Sequence, residues 1–139
     1  MTTTMMSALF PYAATTRGIT VRVAVNFLPE QSQVDNGHWF WAYHIRLENE
    51  GPLPVQLITR HWEITDGRGA LHNVDGEGVV GDQPVLAPGG SYDYVSGCPL
   101  NTPTGAMEGS FQMLAADGMA FDAIIPRFML SAPVTTQKG

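Results

Sequence analysis

Alternation with a period of two organises the chain. In ITVRVAVNF, residues 19–27, Ile19, Val21, Val23, Val25 and Phe27 fall on one side while Thr20, Arg22 and Asn26 fall on the other. That pattern predicts a strand with one buried face. After VDNGH the same odd parity runs through Trp39, Trp41, Tyr43, Ile45 and Leu47. Asn36-Gly37 between the two runs is a hairpin signal, because both residues tolerate positive φ, so the strands are expected to pair antiparallel with Trp39, Trp41 and Tyr43 buried. ENEGPLP then turns the chain into PVQLITRHWEITD, and TDGRGA leads into a shorter segment. SYDYVSG, SFQMLAAD and MAFDAIIPRFML follow, the last two joined at Asp117-Gly118. Nowhere do apolar residues recur at three and four over the length that a stable helix needs. The prediction is an all-β fold, a sandwich of about seven to eight antiparallel strands.

Composition limits the size and class. The chain has 139 residues, 44% of them hydrophobic, enough for one core and too few for two. Residues 17–132 are expected to form the domain, with residues 1–16 and 133–139 as tails. The stretch MTTTMMSALFPYAATT has a short apolar patch, but no Lys or Arg precedes it and Pro11 interrupts it. It is therefore read as a loose tail, with a signal peptide as the alternative and no membrane span. Charged residues are 14% of the chain and the net charge is −6, which leaves no basic stripe for nucleic acid. A single cysteine, Cys98, cannot make an internal disulfide, and the expected location is the cytoplasm.

The segment GEGVVGDQP contains the spacing G-x-G-x-x-G at Gly76, Gly78 and Gly81. A dinucleotide fingerprint needs a helix directly after these glycines, so that its amides and dipole meet the pyrophosphate. DQPVLAPGGS follows instead, and Pro84 and Pro88 leave no room for one. The glycines then serve backbone geometry at positive φ or close-packed positions. A nest of amides that binds an anion such as phosphate or pyrophosphate is the alternative, since successive N–H groups can converge without a helix.

Metal ligation and catalysis find little support. If ENEGPLP closes a hairpin with Leu47 opposite Val55, His44 and His61 face opposite sides of the sheet, and His38 lies far along the strand from His44. No pair among His38, His44, His61 and His72 has ligand spacing, so no metal and no cofactor is expected. Cys98, Ser91 and Ser96 lack a nucleophile's context, and Glu48 and Glu50 read as solvated strand-end carboxylates, so no catalytic residue is assigned.

On the same hairpin register, Phe40, Ala42, His44 and Arg46 share a face with Ile58, Arg60 and Trp62. Interleaved aromatic and arginine side chains suit a protein-binding face. Two other readings stand beside this one. The second sheet covers that side, or a bulge near Leu57–Arg60 switches parity, because Trp62 and Ile64 break the odd pattern of Val55 and Leu57.

VDGEGVVGDQPVLAPG, then Tyr94, Ser96 and Gly97, TPTGAMEG and FDAIIPRFML, together with Arg60, Trp62, Ile64, Asp66 and Gly69 in RHWEITDGRG, resemble the bacterial ApaG (CorD) family over about residues 17–132. The resemblance implies a fibronectin type III-like, immunoglobulin-like β-sandwich. It also implies an association with cobalt resistance and magnesium efflux, with no established enzymatic activity. Related domains in eukaryotic F-box proteins and a polymerase-delta-interacting protein are thought to bind proteins. The resulting expectation is a non-catalytic protein-binding or regulatory module with an unidentified protein partner, able to self-associate through edge strands. The alternative is a phosphate or pyrophosphate sensor using Gly76, Gly78 and Gly81.

Overall fold

The computed structural model describes residues 2–133, with side chains from residue 6 onward. A helix, α1 (Thr2–Leu9), precedes nine strands: β1 (Tyr12–Thr16), β2 (Ile19–Phe27), β3 (Trp39–Asn49), β4 (Val55–Asp66), β5 (Leu71–Glu77), β6 (Val85–Leu86), β7 (Ser91–Leu100), β8 (Thr104–Ala115) and β9 (Ala120–Ser131). All pairings are antiparallel. One sheet runs β1-β2-β3-β7, the other β5-β4-β8-β9 with the short β6 also on β4. The two sheets pack face to face as a β-sandwich, and the alternating residues of β2 and β3 explain why. Ile19, Val21, Val23, Trp41, Tyr43, Ile45 and Leu47 all point inward and are buried, while Trp39 at the strand end is half-buried. Trp62 lies at the centre of the aromatic core, edge-on to Tyr43 (5.4 Å), Phe128 (5.9 Å) and Phe111 (6.5 Å).

The structure corrects three expectations. The nine strands exceed the seven or eight predicted because of the two-residue β6 and of β1, which lies within the stretch assigned to the N-terminal tail. β1 pairs with β2 from Tyr12↔Val23 to Thr16↔Ile19. Just before it, Phe10 is buried and meets the His44 ring edge-on at 4.9 Å. Apart from Pro133, the expected C-terminal tail lies outside the described residues.

The second correction concerns ENEGPLP, which does not close a hairpin. β3 pairs with β2 and β7, so this connection carries the chain from one sheet to the other. Asn49, 1% exposed, organises the crossing. Its amide nitrogen donates to the Leu53 carbonyl (2.8 Å) and the Leu86 carbonyl (2.9 Å), and its side-chain oxygen accepts from the Gly51 N–H (2.9 Å). A buried amide with both ends satisfied fixes the chain reversal.

The third concerns parity in β4. A bulge between Leu57 and Thr59 shifts the register against β8. Leu57 points into the core before it, and Trp62 points into the core after it.

The sandwich is closed along one side and open along the other. On the closed side the Ile124 N–H donates to the Thr16 hydroxyl (3.1 Å) and the Met129 N–H to the Tyr12 hydroxyl (3.5 Å), so β1 side chains cover the edge of β9. On the opposite side β5 and β7 are the outermost strands of their sheets. Among the described residues no helix is long and apolar enough to cross a membrane.

Candidate functional site

The glycine-rich segment is a turn that locks onto β4. The Val79 N–H donates to the Asp82 carbonyl (2.8 Å) and the Asp82 N–H to the Val79 carbonyl (2.9 Å), with positive φ at the two intervening residues, Val80 (42°) and Gly81 (86°). Positive φ at both central positions is the geometry of a type I′ turn. The Gly78 N–H donates to the Ile58 carbonyl (2.9 Å), and the Gln83 side chain reaches the same carbonyl (2.8 Å). Each glycine of the motif has its own reason. Gly78 has φ of 63°, and a Cβ there would collide with the Asp82 carbonyl. Gly81 needs only its left-handed backbone, because its surroundings are open. Gly76 has ordinary φ, but a Cβ on it would lie 2.7 Å from the Arg60 guanidinium carbon. The guanidinium therefore lies directly over Gly76, and its Nη1 donates to the carbonyls of Glu77 (3.1 Å) and Gly78 (2.8 Å).

Beneath this turn the open side of the sandwich parts into a cleft of about 700 Å³ between β4 and β5 of one sheet and β7 of the other. Its floor is Tyr43, Trp62 and Met107, and its polar groups include Arg60, Tyr94 and Ser96. A hydrogen bond from the Tyr92 hydroxyl to Asp82 (2.8 Å) ties β7 to the glycine turn, and one from the Gly67 N–H to the Thr102 hydroxyl (2.8 Å) ties the β4–β5 connection to the segment after β7. The Tyr94 hydroxyl is buried and has no hydrogen-bond partner among the described residues. Burial raises its pKa, as does the nearby Tyr43, while the Arg60 charge works in the other direction. Burial raises Tyr43 as well, opposed by the neighbouring Ser96 hydroxyl. Cys98, also in the lining, is 3% exposed, and burial pushes its thiol up to about 11. A thiol so protonated at neutral pH is a poor nucleophile.

The sequence pattern of the ApaG domain matches residues 29–115, which take in the glycine turn, Arg60 and the whole of the cleft lining. The chain belongs to the ApaG family. It is 54% identical over 122 residues to Protein ApaG of Bradyrhizobium sp. (strain ORS 278), covering 88% of this chain and 94% of that relative. Protein ApaG of Afipia carboxidovorans is 55% identical over 122 residues, covering 88% and 94%. Among solved structures, the ApaA protein from Bordetella pertussis superposes with a TM-score of 0.81 at 44% identity, over 84% of this chain and 95% of that one. These names carry no catalytic activity. In this ApaG domain the glycine motif builds a hairpin turn and a seat for an arginine.

The protein-binding face drawn from the sequence does not form. Phe40, His44 and Arg46 lie on the outer surface of the β1-β2-β3-β7 sheet, whereas Arg60 and Trp62 belong to the other sheet, with Trp62 in the core. The first three are also engaged within the chain. Phe40 lies over Gly97, where a Cβ would collide with its ring. The His44 ring nitrogen pairs with Asp93 (2.8 Å) and its ring meets Phe10. Arg46 bonds Glu48 and Asp93, each at 2.8 Å, and Glu48 also bonds Arg22 at 3.0 Å. Burial works to raise the Glu48 pKa, but the two guanidiniums outweigh it and hold the carboxyl below its usual range.

The histidines separate further than the hairpin register implied. His44 and His61 stand in different sheets. His61 meets Asp75 with Nδ1 (2.7 Å) and Glu63 with Nε2 (3.2 Å), and these bonds raise its pKa. Because its two nitrogens face different carboxylates, the trio does not converge on one point, and among the described residues no group of three or more His, Cys, Asp or Glu could hold a metal ion.

The cleft itself was not legible from local sequence. One signal was present: in SYDYVSGCPL the residues Tyr92, Tyr94, Ser96 and Cys98 share the inward parity, so β7 sends phenols, a hydroxyl and a thiol toward the core where purely apolar side chains would be ordinary.

Proposed function

We propose that this chain is a non-catalytic, cytoplasmic protein-binding module whose partner adds a strand to the free edge of β7, and that any link to cobalt or magnesium tolerance is exerted through that partner. The observation that carries this reading is the orientation of the β7 backbone. The Phe40 N–H donates to the Ser32 hydroxyl (2.9 Å) and its carbonyl accepts from the Leu28 N–H (2.9 Å), so both groups point away from β7. Phe40 is the register partner of Pro99. In an antiparallel ladder the two residues of a pair either exchange both bonds or neither. The peptide groups of Pro99, and by the two-residue period those of Gly97, Val95 and Asp93, therefore face outward.

An unpaired row of N–H and C=O groups is a template for strand addition. Val95, 59% exposed, stands along this row, and Val74, 41% exposed, lies on β5, the outermost strand of the facing sheet. The same edge would serve a second copy of the chain. A pyrophosphate nest has less support. The amides of Gly78, Val79 and Asp82 are spent on internal carbonyls, and those of Val80 and Gly81 sit at the tip of a turn bordered by Asp75, Glu77 and Asp82.

The test is affinity capture from the native cell with the wild-type protein and with Val95→Pro. That substitution removes an outward N–H without touching the β3–β7 ladder, as Pro99 already does. A protein retained by the wild type and lost with folded Val95→Pro is the expected outcome. Equal retention by both, or none by either, contradicts the reading.

A further inference from the structure

Three features of the cleft point to a ligand, independently of what pairs with β7. Its volume, about 700 Å³, lies in the range of small-molecule sites, and its floor of Tyr43, Trp62 and Met107 is aromatic and apolar. Arg60 is half-buried at its wall, and among the described residues it takes part in no salt bridge. Arg17 and Arg68 also take part in none but are exposed, whereas the other half-buried arginines, Arg22 and Arg46, are both paired. The Arg60 Nη1 is spent on two neutral carbonyls, which position the guanidinium without neutralising it. A half-buried guanidinium left without a counter-ion favours an anion beside it. The Tyr94 hydroxyl, on a residue 7% exposed, is an unused donor in the same cleft. Leaving a buried hydroxyl unpaired is costly, and an incoming acceptor would remove that cost.

We propose that the cleft binds a small organic acid with a planar apolar body, its carboxylate pairing with Arg60 and accepting a hydrogen bond from the Tyr94 hydroxyl while its body lies against Trp62, Tyr43 and Met107. A carboxylate matches the remaining edge of the guanidinium fork. Of the nearby acidic residues, Asp66 is part of the cleft lining, where its Oδ1 accepts from the Arg68 and Ala70 N–H groups, and Asp82 accepts from Tyr92; among the described residues neither forms an ion pair with Arg60. This set of groups also explains the glycine at position 76. Any side chain there would displace the guanidinium that the acid needs, since even a Cβ would meet it at 2.7 Å.

Calorimetric titration of the folded protein with naphthoate, and with naphthamide as the neutral match, tests this. Naphthoate should saturate a single site and raise the melting midpoint, and the amide should bind about tenfold more weakly or worse, as loss of a charge-assisted contact implies. Arg60→Gln should bring the affinity for naphthoate down to that for the amide. Because Arg60 also holds the glycine turn, that variant can fail to fold, and Tyr94→Phe then carries the test. It keeps the ring, removes only the unpartnered hydroxyl, and should melt no lower than the wild type while binding naphthoate several-fold more weakly. Failure of naphthoate to saturate the wild type at millimolar concentration, equal affinity for the amide, or unchanged affinity in Tyr94→Phe would each overturn the proposal.

Discussion

At the scale of single residues, Gly76, Gly78 and Gly81 share a motif and do different work. Gly78 combines a left-handed backbone with a carbonyl in the space a Cβ would occupy, whereas Gly81 has the left-handed backbone alone. Left-handed φ costs an ordinary residue roughly 1–2 kcal/mol, and a collision with fixed backbone adds to it. Gly81→Ala should therefore lower stability by about 1 kcal/mol and Gly78→Ala by clearly more, read from chemical denaturation midpoints. Equal losses would mean that the turn relaxes around position 78. Val80 has positive φ too (42°), an uncommon state for a β-branched side chain. Its strain is held by the paired Val79–Asp82 bonds and by Val79, which is 1% exposed in the core.

At the scale of strands and connections, the sequence disclosed faces better than neighbours. The alternation in β2 and β3 identified most of the buried side chains, because burial of one face leaves its mark residue by residue; Thr20, on the other parity, is buried as well, its hydroxyl paired with that of Thr15 on β1 (2.8 Å). The alternation did not disclose that β4 lies in the other sheet. A tight hairpin and a short crossing between sheets both look like a Pro- and Gly-rich turn between two alternating runs, and only Asn49 distinguishes them here. It is a polar side chain buried to 1% exposure at the end of the apolar run of β3, and three backbone groups depend on it. Asn49→Ala should cost about 2–4 kcal/mol, since the buried bond to the Leu86 carbonyl is lost at ~1–3 kcal/mol and the part-buried bonds to Leu53 and Gly51 add less. Asn49→Asp should be no better, because it keeps the acceptor for Gly51 but faces two carbonyls with a carboxylate. If Asn49→Asp unfolds at the wild-type midpoint, the amide does not organise the crossing. The bulge after Leu57 was visible as the break in parity at Trp62, and it is what moved Arg60 from a supposed outer face to the wall of the cleft.

At the scale of the whole molecule, the asymmetry of the sandwich matters most. One side is sealed by hydrogen bonds from β9 amides to Thr16 and Tyr12, both supplied by β1, an element whose residues had read as tail. The other side leaves β5 and β7 as outermost strands over an aromatic cleft bridged by Tyr92–Asp82 and Gly67–Thr102. Tyr43, Arg60 and Tyr94 reach that cleft from three strands that are far apart in sequence, so no local pattern could have assembled it. An edge left free among the described residues while its counterpart is capped fits the strand-addition role proposed above.

Amide hydrogen exchange in the free protein examines this most directly. Tyr94 and Ser96 direct their N–H groups into the β3 ladder and should be strongly protected, whereas Val95 and Gly97, alternating with them on the same strand, should exchange orders of magnitude faster. Protection of Val95 and Gly97 equal to that of Tyr94 and Ser96 would show that the β7 edge is already occupied and would contradict the account.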